Sequence, residues 1–307
     1  MSAELLSLPG AVLDHLAQAL ILVLSVATLW LAPPVSRSDS DRRGRLLVTM
    51  VVIMAFCAGI DLLLRTAVMA DVDPGQAWGF IPRVLAHSDY GFYWLWRAGI
   101  WLLLLAVAFR IIARGWSRLT AALLLIASLA TMLLVSVTSH AGEDGLWSVI
   151  NLVNWLHLVS ISLWGGAVVT YALIVMSELR KQADPEQMAV TAERLSTLAT
   201  AALVVVMLSG IFNSWQQMNT FSQLWSTDYG RVLVIKLVLV AIMMCIGALN
   251  RFHWVPKLAA SCREAGLQWG ASSSRLLQVL RVDSAVFLVI LIVAVILGGQ
   301  SPPAHGM

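Results

Sequence analysis

The side chains in this chain best able to hold or pass an ion are its histidines, its thioethers and a few charges set among apolar residues. There are six histidines. Imidazole and thioether together suit copper, with thioether favouring Cu(I). Asn154, His157 and Trp164 are spaced by three and seven residues, which places them on one face of a helix. By the same spacing Met207, Ser214 and Met218 share a face of a second helix, and Lys236, Met243 and Asn250 a face of a third. These residue types also have ordinary uses. A lone histidine in a bundle usually makes a structural hydrogen bond, and methionine in an apolar helix usually fills space.

Charges within apolar runs are the second signal, since each costs about 2.5–3.5 kcal/mol at the centre of a membrane helix unless it is paired or wet. Asp61 and Arg65 are four apart, so they can neutralise one another, with Cys57 one turn deeper on that face. Asp14, Arg97, Arg231 and Lys236 also stand in or beside apolar runs. Lys236 is too deep to be only a snorkelling anchor. It either joins a buried ion pair or serves a ligand.

The elements that must position these groups are membrane helices. Hydrophobic residues make up 59% of the chain and charged ones 12%, against about 25% charged in a soluble domain. Apolar runs reach the roughly 20 residues that cross a bilayer. Eight are expected, near 11–32, 46–70, 92–112, 118–138, 147–178, 195–218, 229–250 and 278–299, in an all-α polytopic fold. Every second connection is basic: the first carries Arg37, Arg42, Arg43 and Arg45, and the last runs from Arg251 to Arg281. Basic connections stay cytoplasmic, so both termini are expected on the periplasmic side. That topology puts His15, His87, His140 and His305 at or near the outer face and His157 in the outer half to middle of its helix, with His253 alone inside. The basic balance, pI near 9.0, then reflects topology and not nucleic-acid binding. Three cysteines, none in an outer connection, form no disulfide framework or CxxC motif.

An internal repeat adds to this. Ser88-Asp89-Tyr90-Gly91 has Arg97 six residues past the glycine, and Thr227-Asp228-Tyr229-Gly230 has Lys236 at the same offset. His15-Leu16 parallels His157-Leu158, and His140 and His305 each follow a fourth span. The expectation is two parallel four-helix halves, 1–140 and 141–307, related by a pseudo-two-fold axis along the membrane normal.

Several short motifs, in order, resemble the copper resistance protein D (CopD) family of bacterial inner-membrane proteins. They are Ser139-His140-Ala141, then Asn154, His157, Trp164, Gly165 and Gly166, then Leu195-Ser196-Thr197-Leu198-Ala199 and Gly210. Thr227-Asp228-Tyr229-Gly230-Arg231 with Lys236, and Asn250-Arg251 followed by Pro256, complete them. The second half carries the resemblance more fully than the first, and Asn154 stands where the family pattern leads one to expect aspartate. The resemblance implies copper handling, as Cu(I) or Cu(II), with uptake from the periplasm beside a periplasmic copper chaperone. On that reading His140, His157, His15 and His305, with His87, form an outer capture site, and His305 and Met307 act as a mobile pair of ligands. Met207, Met218, Met243, Cys57 or Cys245 would pass the ion inward, lined by Asn154 and Trp164, with Lys236 and Arg97 as gating charges beside Asp61 and Arg65. Two other readings stay open: a haem-b redox protein with His15 and His157 as axial ligands, and a receptor that meets the chaperone without transporting. There is no GxxxxGK[ST] loop for an ATP-driven pump and no nucleophile–base spacing, so an enzyme is not expected.

Overall fold

The structure, a computed structural model, describes residues 3–31, 36–182, 184–263, 269–300 and 303. His305 and Met307 lie outside the described residues. Among the described residues eight helices are long and apolar enough to cross a membrane. They are α1 (Leu8–Trp30), α2 (Arg37–Ala70), α3 (Asp89–Arg114), α4 (Arg118–Val137), α5 (Val149–Arg180), α6 (Pro185–Gln217), α7 (Asp228–Cys262) and α8 (Trp269–Gly298). No strand occurs among the described residues. The protein is an all-helical, multi-pass membrane protein.

The number of spans agrees with the hydropathy pattern; their ends do not. α6 begins ten residues before the expected 195, where Asp184 accepts a hydrogen bond from the Gln187 amide at 3.0 Å and Pro185 occupies the first turn. α8 begins at Trp269, nine residues before the expected 278, and α2 and α7 run past their apolar cores in the same way. Hydropathy marks only the stretch that needs lipid, whereas a capped helix continues into water. A helix of 33 residues such as α6 spans about 50 Å at 1.5 Å per residue, well beyond the roughly 30 Å hydrocarbon layer.

Local sequence accounts for the other ends. Ser36 caps α2, and Asp71 closes it in the left-handed conformation at φ 51°. Ser117 and Thr120 form a reciprocal capping box on α4. Three spans loosen into a π turn near their basic ends, α1 at Ala27–Leu31, α5 at Tyr171–Val175 and α7 at Asn250–Trp254. In α7 the cause is Pro256, which has no amide hydrogen for the carbonyl one turn back and crowds it.

The chain divides into two compact units. The first takes in residues up to Ser25 and then 35–158; the second takes in 26–34 and everything from Val159 onward. In the first unit Leu47, Met50, Val51 and Met54 of α2 pack with Trp101, Leu104, Val107 and Ile111 of α3 and Leu124 of α4. In the second, α7 and α8 pack along their lengths. Phe56, Leu102, Phe109, Ile126, Leu208 and Ile211 are exposed, as lipid-facing side chains of a membrane protein should be.

Candidate functional site

The first unit gathers polar groups where α2 and α4 end and α3 begins. The Ser88 hydroxyl accepts from the Gly91 amide at 3.0 Å and donates to the Val84 carbonyl at 2.7 Å, so one side chain joins the short helix Ile81–His87 to the start of α3. Gly91 sits directly on that preceding helix, and a Cβ there would run into the Val84 carbonyl. The corner aims Tyr90 at α2, where its hydroxyl donates to Asp61 Oδ2 at 2.8 Å. Arg65 pairs with the same carboxylate at 3.2 Å, lies over the Tyr90 ring at 4.9 Å and donates to the Thr138 carbonyl at 3.4 Å. The expected Asp61–Arg65 pair is therefore present, and Tyr90 is its third member.

Two residues past Thr138, His140 opens a 3-10 turn, and its Nδ1 stands 3.0 Å from Glu143 Oε1 with both side chains exposed. Asn154 Nδ2 donates to the Ser136 hydroxyl at 2.9 Å, and Ser136 donates to the Asn151 carbonyl at 3.2 Å. Asn154 thus ties α5 to α4, a use for its amide that the spacing alone did not show. His157 is half-buried one turn further and Trp164 is buried. His87 is exposed at the end of its short helix.

Deeper in the unit is a buried ion pair. Asp14 Oδ2 accepts from Arg97 at 3.2 Å and from Gln18 Nε2 at 2.6 Å, and the Arg97 guanidinium lies 5.4 Å from the Trp101 ring centroid. Arg97 is compensated, so it does not present the free repelling charge expected of a gate. The network is incompletely satisfied. Asp14 Oδ1, Arg97 Nε, Trp101 Nε1 and the neighbouring His15 Nδ1 are buried without a hydrogen-bond partner among the described residues. Cys57 is buried on α2 one turn before Asp61.

The second unit rebuilds the corner. Thr227 accepts from the Gly230 amide at 3.0 Å and donates to the Gln223 carbonyl at 2.7 Å, and a Cβ on Gly230 would run into that carbonyl. The Tyr229 hydroxyl donates to Gln217 Oε1, an amide in the role that Asp61 has for Tyr90. Lys236 is half-buried and, unlike Arg97, has no ion pair or hydrogen bond among the described residues. Met243 is fully buried and Met218 packs at the end of α6 beside Tyr229 and Leu233, but Met207 is exposed and cannot line an interior path within this unit.

Among the described residues no three His, Cys, Asp or Glu side chains stand together as metal ligands. The sequence reading missed one group. Asp283, 2% exposed, carries a buried Oδ1 with no hydrogen-bond partner among the described residues. Its signal was present: it is an acid within an apolar run. It lies inside the expected span 278–299, two residues after Arg281, which belongs to the basic connection, and the helix itself begins at Trp269.

Two family models match the chain. The model described as copper resistance protein D-like, N-terminal domain, covers residues 11–149, and the one described as copper resistance protein D covers residues 189–297. His140 falls in the first match and Lys236 in the second, while Asn154, His157 and Trp164 lie between them. The chain is 27% identical over 256 residues to the "Copper transport protein CutJ" of Bacillus subtilis (strain 168), an alignment covering 80% of this chain and 44% of that protein. It therefore spans less than half the length of that relative. It is 26% identical over 242 residues to the "Inner membrane protein YebZ" of Escherichia coli (strain K12), covering 75% of this chain and 77% of that protein. No solved structure gives a significant match. With both matches in sequence order along eight apolar helices, the chain belongs to the copper resistance protein D family.

Proposed function

We propose that this protein binds copper at the periplasmic side of the bacterial inner membrane and passes it towards the cytoplasm. The observation that carries this reading is the pair of copper-resistance family matches, which together take in the candidate outer histidine His140, the buried thioether Met243 and the Asp-Tyr-Gly corners of both units. The name of the Bacillus subtilis relative, a copper transport protein, agrees with it. Alternating basic connections support both termini on the outer side, and the recurrence of one capping corner supports two parallel four-helix halves.

His140, His157, His15 and His87, with His305 and Met307, are the proposed ligands; Cu(I) or Cu(II) is cargo and not a resident cofactor. At the outer face the Glu143 carboxylate beside His140 offers an arriving cation a compensating charge. Further in, Cys57 of the first unit and Met243 of the second are among the buried sulfur groups suited to a soft ion. A periplasmic copper chaperone is the proposed donor. No step requires an enzyme active site.

Uptake of radiolabelled copper into proteoliposomes tests the reading, with bound copper counted in the same preparation. Copper should accumulate inside, and the double variant His140→Ala/His157→Ala should lose at least tenfold of both binding and uptake. Binding without accumulation would identify a receptor instead of a transporter. Tight copper binding unchanged in the double variant would remove these histidines from the site.

A further inference from the structure

Spans of the second unit bury polar groups near their basic ends with no hydrogen-bond partner among the described residues, and those of α5, α7 and α8 lie closest in level. Thr170 of α5 is 0% exposed, Asn250 of α7 is 7% and Asp283 of α8 is 2%. Thr170 Oγ1, both side-chain polar atoms of Asn250 and Asp283 Oδ1 are buried with no hydrogen-bond partner among the described residues. An unmet buried polar atom costs about 1–3 kcal/mol, and more when charged. Thr191, Trp254 and Gln300 of the same unit also bury an unmet polar atom, and what sets Asp283 apart from them is its ionisable carboxyl. A π turn is often found at a functional site. Thr170 immediately precedes the π turn of α5, and Asn250 begins that of α7.

The fold brings these groups to one region. Gly165 of α5 lies against the Phe287 ring, and Arg180 donates to the Ser274 hydroxyl at 3.0 Å, so α5 and α8 run antiparallel with a fixed register. Interpolating between the two contacts sets Asp283 level with Thr170. Tyr229 and Leu233 of α7 pack with Leu297 at the other end of α8. Counting inward from there puts Asn250 about 7 Å beyond Asp283 at 1.5 Å per residue. α8 packs against the π turns of α5 and of α7, so Asp283 stands on the span that touches both.

We propose that this inner part of the second unit is a binding site for a small hard cation, a proton or an alkali-metal ion, with Asp283 as the charged ligand and Thr170 and Asn250 as neutral oxygen ligands. An ionisable group within a membrane span is a functional site by default, because only a partner or a cavity makes its burial tolerable. Among the described residues no cationic side chain pairs with Asp283. On the elements packed against α8, Tyr171 is the titratable group of the α5 turn, with Glu178 two turns further in. On α7, Lys236 lies towards the other end, and Cys245, Arg251, His253 and Lys257 are exposed; Cys262 is half-buried near its end. Arg275 and Arg281 of α8 are exposed as well. The ligand set is all oxygen, which suits hard cations and not Cu(I). The site therefore goes beyond the copper reading, and would let movement of a cargo ion be coupled to a proton or sodium gradient.

The test uses the full chain in lipid nanodiscs with no copper present, so it stands or falls separately from copper binding. Infrared difference spectra are recorded between acid and alkaline buffer, and between sodium and choline buffer at one pH. The wild type should show a carboxyl band change that Asp283→Asn abolishes. A change driven by sodium at constant pH identifies an alkali-metal ion; one driven by pH alone identifies the proton. Asp283→Glu, which keeps the acid but moves its band, serves if Asp283→Asn does not fold. Wild-type spectra with no carboxyl change, or spectra unaltered by these substitutions, would overturn the proposal.

Discussion

Arg97 and Lys236 stand six residues after the glycine of two matching corners, yet their surroundings are opposite. Arg97 is held by Asp14 in a pair whose side chains are 8% and 10% exposed, while Lys236 has no ion-pair partner among the described residues. A buried pair is weak evidence for net stability, but removing one member strands the other charge. Asp14→Ala should therefore lower stability by about 3–5 kcal/mol, measured by unfolding in bicelles. Adding Arg97→Met should recover much of that loss, since a long apolar side chain leaves no orphan charge. Equal losses in the single and double variants would show that Asp14 acts through packing alone. Lys236→Met should be neutral or stabilising for the fold, so a loss of copper uptake in that variant would place the amine in function.

The corner preceding α3 and α7 is the smallest piece of structure that explains a repeated sequence. Each of its residues has a separate reason: Ser or Thr to cap, Asp to complement the helix dipole, Tyr to reach the preceding span, Gly to let two backbones meet. Gly91→Ala or Gly230→Ala should each cost about 1–3 kcal/mol by overpacking, because the atom in the way is a backbone carbonyl that cannot rotate aside. Gly99→Ala is the control, with nothing within 4 Å of an added Cβ; thermal unfolding of the three variants should separate them. The corner was legible in the sequence because all its contacts except the tyrosine's are local. The Asp61–Arg65 pair was legible for the same reason, as a spacing of four on one helix. Groups whose partners come from afar were not. The spacing puts Asn154 on a helix face with His157, but not beside Ser136, 18 residues away, to which its amide donates. Arg97 looked like a free charge because Asp14 is 83 residues distant. Asp283 stands inside the expected eighth span, but two residues from Arg281 is no helical pairing, and hydropathy alone does not show that the fold buries it.

At the scale of the whole chain the charge pattern makes a prediction that neither residue nor element can make. Lipid-exposed apolar side chains such as Phe56, Phe109, Ile126 and Leu208 fix that the helices cross, but not which way they point. Only the arginine and lysine bias does that, because basic connections resist translocation. The connections after α2, α4 and α6 are poor in basic residues, and those after α1, α3, α5 and α7 are rich in them. Single cysteines introduced as Asp73→Cys, Asp144→Cys and Phe221→Cys, in a chain freed of Cys57, Cys245 and Cys262, should react with a membrane-impermeant maleimide in cells with an opened outer membrane. Ser38→Cys and Glu186→Cys should react only after the inner membrane is permeabilised. All five positions are exposed in the fold, so failure to label reports the membrane and not burial. The reverse pattern would turn the protein over, placing His140 and Glu143 on the cytoplasmic side and the Asp283 region on the periplasmic side. Copper would then meet the histidines last, and the same residues would describe export.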